Sequence, residues 1–351
     1  MQGDAVYARL MARRATWTSL LNGDPRPWLL EESDPAVRAA TLTRLLGRPD
    51  ADPEVVGART AAMEAEPIAG ILAAQDPEGF WVKPGPGYAP KYRGTVWNLI
   101  FLEQLGADSA HPGVRRACAY VLDWTATSVG GLGCSGGTRV PPPSSVLHCL
   151  NGNLLRSLIR FGWLDDPRVQ AAVEWQVRAI AGEGVERWYA SGTSGPGFEC
   201  GVNDGRPCAW GAVKALRGLA AIPPRRRTAR VRRAIDTGVE FLFSRDPGVA
   251  DYPMPIGDTR PSAVWFKAGF PSGYSADVVQ VLEVLGELGH GRDPRLAGAL
   301  EWLVGLQDDR GRWANRYAYS GKTTVPIEQQ GKPSKWVTLR ACTVLAAAGG
   351  S

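Results

Sequence analysis

Four cysteines and a histidine occur around the starts of two neighbouring predicted helices. His148 and Cys149 begin one helix, Cys208 begins the next, and Cys134 and Cys200 lie in the loops leading into them. Thiolate sulfur, imidazole nitrogen and carboxylate oxygen are the ligands that Zn²⁺ takes in proteins, and a catalytic zinc keeps one position open. Helix starts also favour the thiolate form of cysteine. These residues therefore predict a zinc site or a group of reactive thiols.

The candidate zinc ligands are Cys149, Cys200 and Cys208, with Asp204, His148 or Cys134 as the fourth. Because no CxxC pair occurs, three interpretations stay open. The cysteines hold a zinc ion that acts as a Lewis acid, they are free reactive thiols, or they are buried as small apolar side chains. Cys118 and Cys342 fall among Ala and Leu on helix faces, which predicts core packing for both.

Aromatic and polar residues near the starts of similar helices predict a ligand cavity. The predicted substrate-binding residues are Trp97, Trp210, Trp336, Arg93, Asn151, Asn153, Lys214 and Lys335. Aromatic walls suit an apolar or cationic ligand, whereas cationic side chains at helix starts could receive a carboxylate or phosphate. The predicted catalytic residues are Asp277, Tyr274 and Asp204. Burial would raise the pKa of Asp277 toward that of an acid or base, and helix capping is its alternative role.

These residues occupy equivalent places in an internal repeat with a period of roughly sixty residues. In each copy, such as "CLNGNLLRSLIRFGWLDDPRVQAAVEWQV", an apolar helix is followed by a short turn and a second helix. A long loop rich in Gly and Pro then leads to the next copy. Asp166-Pro167 and Asp293-Pro294 predict starts of second helices, with aspartate as the cap and proline at the first helical position.

The number of copies predicts an all-α fold, an (α/α)6 barrel that forms a single toroid domain over residues 1–351. The closing pair would join the half-copy "PSKWVTLRACTVLAAA" to an N-terminal helix around Tyr7 to Leu21. Alternating hairpins make all inner helices run in one direction, so their N-termini ring one mouth of the cavity. Residues from separate hairpins are expected to meet at that mouth, where the long loops also gather. An open solenoid is the alternative.

Composition excludes two classes of protein. The net charge is +5 and 21% of residues are charged, without the concentrated Lys/Arg stripe that nucleic-acid binding needs. The sequence contains no continuous apolar run long enough to span a membrane and no apolar signal-peptide core near its start. We therefore expect a cytoplasmic protein that binds a small molecule, with no nucleic-acid partner and no transmembrane segment.

Two loops carry a glutamine–glycine–tryptophan pattern, "QDPEGFW" from Gln75 and "QDDRGRW" from Gln307. This pattern resembles the QW repeat of squalene and oxidosqualene cyclases. "CLNGNL" and "PSKWVTLRA" are similar to bacterial prenyltransferase and squalene oxidase repeat proteins, and the layout is similar to terpenoid cyclase and protein prenyltransferase toroids. The resemblance covers nearly the whole chain and implies an α/α toroid. It also implies that each glutamine caps a helix end and that Trp81 and Trp313 tie outer helices together.

The acid motifs of terpene cyclases are absent. The chain has no DxDD and no DDxxD: "DADP" at Asp50 is the nearest match, "DDPRV" at Asp165 predicts a helix cap and "DDRGR" at Asp308 a turn. We therefore predict a terpene cyclase-like enzyme that acts on a small hydrophobic or isoprenoid-like metabolite, with zinc as the candidate cofactor. The alternatives are a non-catalytic small-molecule binding protein on the same toroid and a zinc-dependent transferase or lyase acting on a polar substrate.

Overall fold

The computed structural model describes residues 16–134, 139–183, 194–254 and 260–349. The α-helices in these ranges are α1 Arg26–Leu29, α2 Pro35–Ala40, α3 Pro53–Glu64, α4 Ile68–Ala73, α5 Thr95–Leu105, α6 Pro112–Thr125, α7 His148–Arg160, α8 Pro167–Ala181, α9 Ala209–Ala220, α10 Ala229–Phe243, α11 Val278–Glu287, α12 Ala297–Val304 and α13 Lys335–Gly349. Helix α2 continues as a π-helical turn, Thr41–Leu45. The strands described, β1 (Glu199–Cys200) and β2 (Arg206–Pro207), form one antiparallel hairpin.

The first helix of each predicted pair lies in an inner ring made of α2, α5, α7, α9, α11 and α13. From α5 to α13, each inner helix packs against the next inner helix. Helix α13 also packs against α2 and its π-helical turn. Inner helices are apolar on most sides, and ten of the eleven residues of α5 are buried. Each of the first five inner helices is followed by an outer partner: α3 with α4 after α2, and then α6, α8, α10 and α12. The fold is therefore the predicted all-α (α/α)6 toroid.

The N-terminal segment closes the ring. A 3₁₀ turn at Trp17–Leu20, within the segment predicted to pair with the last half-copy, packs against α13. The part of the predicted N-terminal helix before residue 16 lies outside the described residues. The predicted aspartate caps are also present, since the Asp166 and Asp293 side chains accept hydrogen bonds from backbone N–H groups at the starts of their helices.

The first glutamine–tryptophan loop joins two outer helices. Gln75 follows α4, and its Nε2 donates to the carbonyl of Gly113 in the first turn of α6, at 3.0 Å. Trp81 is buried, and its Nε1 donates to the Ile71 carbonyl of α4 at 2.8 Å. The contacts match the structural role that was expected of this loop.

The second loop repeats these contacts and reaches the N-terminal segment. Gln307 Nε2 donates to the Leu20 carbonyl at 3.0 Å, and Gln307 Oε1 accepts from the Asn22 N–H at 2.7 Å. Trp313 Nε1 donates to the Leu303 carbonyl of α12 at 2.8 Å. The last outer helix is thereby tied to the start of the chain.

Helices α7 and α9 approach closely because a glycine faces a backbone. A Cβ atom added to Gly152 would lie 2.2 Å from the Lys214 carbonyl oxygen, which no real side chain tolerates. Glycine is therefore required at this crossing, and the close approach fixes how α9 presents its polar residues to the barrel. Within the described ranges, no helix is long and apolar enough to cross a membrane.

Candidate functional site

Aromatic side chains fill the mouth where the inner helices begin. Tyr92 precedes α5 and Tyr274 precedes α11, and their rings are stacked with centroids 6.5 Å apart. Trp210, in the first turn of α9, meets Tyr274 edge-on at 5.9 Å. Tyr319, from the loop before α13, stacks on Tyr92 at 3.8 Å. Residues from separate hairpins therefore meet at one mouth, as the sequence predicted. There they pack against each other through their aromatic rings.

Several predicted substrate-binding residues at this mouth are hydrogen-bonded to the protein itself. Their bonds join Arg93 to Gly321 (2.8 Å), Lys335 to Glu31 (2.9 Å), Asn153 to Gly273 (3.1 Å) and Trp97 to Tyr88 (2.8 Å). Trp97 is also completely buried. In the described structure these side chains hold loops over the barrel end rather than line its cavity.

His148 belongs to a buried chain of hydrogen bonds. Its Nε2 donates to the Gly195 carbonyl at 2.8 Å, and its Nδ1 accepts from Gln176 Nε2 at 3.0 Å. Gln176 Oε1 accepts from Asn151 Nδ2 at 3.0 Å, and Asn151 Oδ1 accepts from the Leu132 N–H at 2.9 Å. Burial lowers the pKa of His148 to about 4, so the ring is neutral at pH 7. Both ring nitrogens are occupied, which leaves neither for a metal.

The four predicted thiols lie near one another at the approach to α7 and α9. Cys149 lies near enough to Cys134, Cys200 and Cys208 for their ionisations to interact. Asp204 is exposed in the turn between β1 and β2, with a left-handed φ of 55°. Within the described ranges, no three His, Cys, Asp or Glu side chains are grouped so that they could hold a metal ion. The residues present therefore do not fit the four-ligand arrangement of zinc. Cys118 and Cys342 are buried in the core, as predicted.

Asp277 caps α11 and lies below the aromatic mouth. Its Oδ1 accepts from the Gln280 N–H at 2.8 Å, and the carboxyl is 4% exposed. Burial raises the pKa of Asp277, as predicted, and the Arg340 guanidinium 3.8 Å away opposes that rise. Lys214 is completely buried behind it and donates from Nζ to Gln280 Oε1. Burial and the nearby Arg217 lower the pKa of Lys214 well below its usual value.

A cavity of about 1170 Å³ lies toward the other end of the barrel. Its walls come from α2, α3, the turn between α5 and α6, and helices α7, α9, α11 and α13. At the deep end, Phe270 and Trp336 stack with ring centroids 4.7 Å apart. Gln104 holds that loop by donating to the Ser272 carbonyl and accepting from the Ser272 N–H, both at 2.8 Å. Among the predicted substrate-binding residues, Trp336 lines this cavity.

Two ion pairs cross the cavity wall in bidentate geometry. Arg156 of α7 binds both carboxylate oxygens of Glu287 of α11, each at 3.0 Å. Arg340 of α13 binds both oxygens of Glu283, at 2.7 and 2.8 Å. Burial alone would raise the pKa of Glu283, but the Arg340 guanidinium holds it at about 2. These carboxylates therefore stay ionised, and the pairs join three inner helices rigidly.

Three more guanidinium groups line the cavity without a carboxylate partner. Within the described ranges, no carboxylate oxygen lies within 4.0 Å of Arg44, Arg160 or Arg217. Arg217 has only the neutral Gln280 amide oxygen, at 3.3 Å. Burial and the neighbouring Arg156 lower the pKa of Arg217, whereas Arg44 and Arg160 are exposed to solvent. The lining holds six arginines and six carboxylates in all, so the uncompensated positive charge is local to these three arginines and is not a net charge of the whole cavity.

Sequence reasoning missed this charged cavity. Its residues recur at helical spacing on otherwise apolar inner helices, as Arg156 and Arg160 do on α7 and Glu283 and Glu287 do on α11. Charged residues one turn apart on a buried helix need partners inside the protein, because burying an isolated charge is costly. Pairs of charged residues one turn apart on apolar helices were therefore the feature of the sequence that could have predicted a polar barrel interior.

Comparison with known proteins gives fold likeness only. No family model and no curated protein matches this chain. Solved structures that are similar include an α-mannanase from Bacteroides thetaiotaomicron, with 10% identity, a TM-score of 0.39, and coverage of 73% of this chain and 67% of that one. A cellobiose 2-epimerase from Spirochaeta thermophila has 12% identity, a TM-score of 0.41, and coverage of 85% and 98%. The type II terpene cyclase MstE from Scytonema has 14% identity, a TM-score of 0.30, and coverage of 82% and 97%. Likeness at this level carries no argument about substrate or reaction.

Proposed function

We propose that the protein is an enzyme that binds a small amphiphilic anion in the barrel cavity and acts on it there. The observation that carries this proposal is the trio Arg44, Arg160 and Arg217, which line the cavity without carboxylate partners among the described residues. Within the described ranges, Arg217 is buried without a carboxylate partner, and the exposed Arg44 has the like charges of Arg156 and Arg160 beside it, so the group is unfavourable until an anion neutralises it. A bound carboxylate or phosphate would supply the missing negative charge, and guanidinium groups bind both in bidentate fashion.

The cavity also accommodates an apolar body. Phe270 and Trp336 form its deep wall, and Leu339 of α13 continues that surface. The volume of about 1170 Å³ is slightly above the usual range for small-molecule sites. An isoprenoid-like or aromatic metabolite with an anionic head group combines these features. The hydrophobic metabolite predicted from the sequence would then be the apolar part of this ligand, and the anionic head group is the addition.

Glu103 is the carboxylate that we assign to proton transfer. It lines the cavity and is 8% exposed, and its Oε1 lies 3.4 Å from Arg156 Nε. The other inner glutamates, Glu283 and Glu287, have both oxygens bound by arginine. Glu103 therefore retains an oxygen that can exchange a proton with a ligand, and the neighbouring guanidinium groups would stabilise negative charge that develops beside it.

Binding without conversion is the second candidate function. The observation that favours it is the locking of Glu283 and Glu287 in bidentate ion pairs, which leaves few carboxylates free for chemistry. Replacing Glu103 separates the two functions. Under the enzyme proposal, Glu103→Gln tightens anion binding, because a negative charge is removed, and stops conversion of the ligand. Conversion that survives this substitution would contradict the catalytic assignment.

The anion-binding proposal is tested by calorimetric titration with matched probes. We expect 1-naphthyl phosphate and geranyl phosphate to bind, and 1-naphthol and geraniol to bind much more weakly. Arg44→Gln and Arg160→Gln should each weaken phosphate binding roughly tenfold or more, because one charge-assisted hydrogen bond contributes ~1.5–3 kcal/mol and tenfold in Kd is ~1.4 kcal/mol.

The matched control is Arg226→Gln, which removes an exposed arginine paired with Asp165. It should leave binding unchanged. The free Arg44→Gln protein should be as stable as the wild type or more stable, because a positive charge that lies beside Arg156 and Arg160 is removed. Equal binding of phosphates and alcohols, or binding that ignores both cavity substitutions, would refute the proposal.

A further inference from the structure

A second cavity, of about 460 Å³, lies beside the loop that leads into α13. Its wall is formed by residues of that loop between Tyr319 and Gln329 and by Pro271. The two neighbours of Pro271, Phe270 and Ser272, line the larger cavity, so both cavities use this short segment as part of their walls. The volume of the second cavity falls within the usual range for small-molecule sites.

Glu328 is the carboxylate in the wall of the second cavity. Its Oε1 accepts from Ser334 Oγ at 2.9 Å, and Ser334 is 1% exposed. Ser334 Oγ also accepts from the Val337 N–H in the first turn of α13, at 3.1 Å, which fixes the hydroxyl group. Among the described residues, no lysine, arginine or histidine lines this cavity or places a nitrogen within 4.0 Å of the Glu328 carboxylate. The carboxylate is therefore held in place by a neutral donor and has no cationic partner in this part of the chain.

The charged group that acts on Glu328 is another carboxylate. Burial raises the pKa of Glu328 to about 7, and the negative charge of Asp34, which precedes α2, adds to that rise against the hydrogen bond from Ser334. Burial also raises the pKa of Asp34, although Lys335 Nζ lies 3.8 Å from its Oδ2. A negative charge at Glu328 is therefore unfavourable until a cation from outside the protein binds beside it.

We propose that the second cavity binds a small organic ammonium ion, with Glu328 accepting hydrogen bonds from the ammonium group. An ammonium group only donates hydrogen bonds, and its bond to a carboxylate is charge-assisted. Pro271, Tyr319 and Ile327 supply apolar surface for the carbon body of the ligand. This site is separate from the arginine-lined cavity, and its ligand carries the opposite charge, so the two proposals stand or fall independently.

The test is calorimetric titration at pH 8 with two probes of the same shape, cyclohexylammonium and cyclohexanol. The ammonium should bind, and the alcohol should bind much more weakly. Glu328→Gln should weaken binding of the ammonium roughly tenfold or more, because the charge-assisted hydrogen bond is lost while a similar side-chain shape is kept. Glu78→Gln, which neutralises an exposed carboxylate in the loop after α4, is the matched control and should bind as the wild type does.

A measurement on the wild-type protein keeps the test independent of how the variants fold. The affinity for cyclohexylammonium should rise from pH 6 to pH 8, because Glu328 loses its proton over this range. Binding at pH 6.5 should also release protons, which titration in two buffers of different ionisation enthalpy detects.

Four results would each overturn the proposal. They are equal binding of the ammonium and the alcohol, binding that Glu328→Gln does not weaken, binding at pH 6.5 without proton release, and proton release that persists in Glu328→Gln, which would assign the titrating group to Asp34.

Discussion

At the scale of single residues, His148 shows how surroundings decide the use of a side chain. The sequence proposed it as a zinc ligand because it stands beside a cysteine at a helix start. Its actual partners, Gln176 and the Gly195 carbonyl, come from distant parts of the chain. Spacing within one helix could not reveal them. The clustering of the cysteines was predictable, because they mark equivalent points of successive repeats, whereas the arrangement of their sulfurs depends on loop conformation.

His148 should make the protein less stable in mild acid. Its pKa is about 4 in the folded protein and about 6.5 when unfolded, so the unfolded state binds the extra proton first. The stabilisation is complete above pH 6.5 and is lost as the pH falls toward 4. We expect a loss of about 2 kcal/mol between pH 7 and pH 5 from this group, measured as the free energy of unfolding in urea. His148→Gln should lack this component, and an unchanged pH dependence in that variant would contradict the assignment.

At the scale of elements, the helix pairs were predictable and the loops were not. Apolar periodicity and the Asp-Pro caps identified the pairs, because both act within one or two helical turns. The paths of the long Gly- and Pro-rich loops depend on tertiary contacts, such as the two bonds between Gln104 and Ser272. This is why Asn153 and Lys335 turned out to hold loops, although their positions at helix starts suggested ligand binding.

The crossing of α7 and α9 gives a test at this scale. Gly152→Ala should lower the stability of the protein by ~1–3 kcal/mol, because the new methyl group would meet the Lys214 carbonyl oxygen and push the helices apart. Thermal unfolding measures the effect. Gly57→Ala in α3 is the matched control, since nothing lies within 4 Å of the added atom. It should stabilise by roughly 0.5–1 kcal/mol, and similar results for both variants would contradict the proposed close packing.

At the scale of the whole molecule, the toroid could be predicted and the position of its cavity could not. Repeats that alternate two helices close into a ring when their number is about six. The sequence argument then placed the functional site where the loops gather, at the start of the inner helices. Tyr92, Tyr274 and Tyr319 instead pack together there. The cavity of about 1170 Å³ lies at the opposite end. It is lined by Arg156, Arg217 and the α11 glutamates, which the sequence analysis did not single out because they occur within largely apolar helices.

The hydrogen bonds of Gln307 help to close the toroid between α12 and the N-terminal segment, and one substitution can remove them. Gln307→Ala deletes the bonds to Leu20 and Asn22, so we expect faster amide hydrogen exchange in the segment from Trp17 to Leu29 and a loss of ~1–3 kcal/mol. Gln75→Ala removes an equivalent loop contact between α4 and α6 and is the matched control. It should leave exchange in the N-terminal segment unchanged. Equal protection of that segment in both variants would show that other contacts close the ring.

Among the described residues, the cavity lining includes Phe270 and Trp336 but none of the rings of Tyr92, Tyr274 and Tyr319 at the aromatic mouth. On the anion-binding proposal, a ligand in this cavity would enter and leave on the side of α3. The inner helix α7, with thirteen residues, is about 20 Å long, and the rings of Tyr92 and its neighbours take up part of that depth. On the proposed function, the apolar tail of the ligand would end against Phe270 and Trp336, and a larger side chain at either position would shorten the longest ligand that fits.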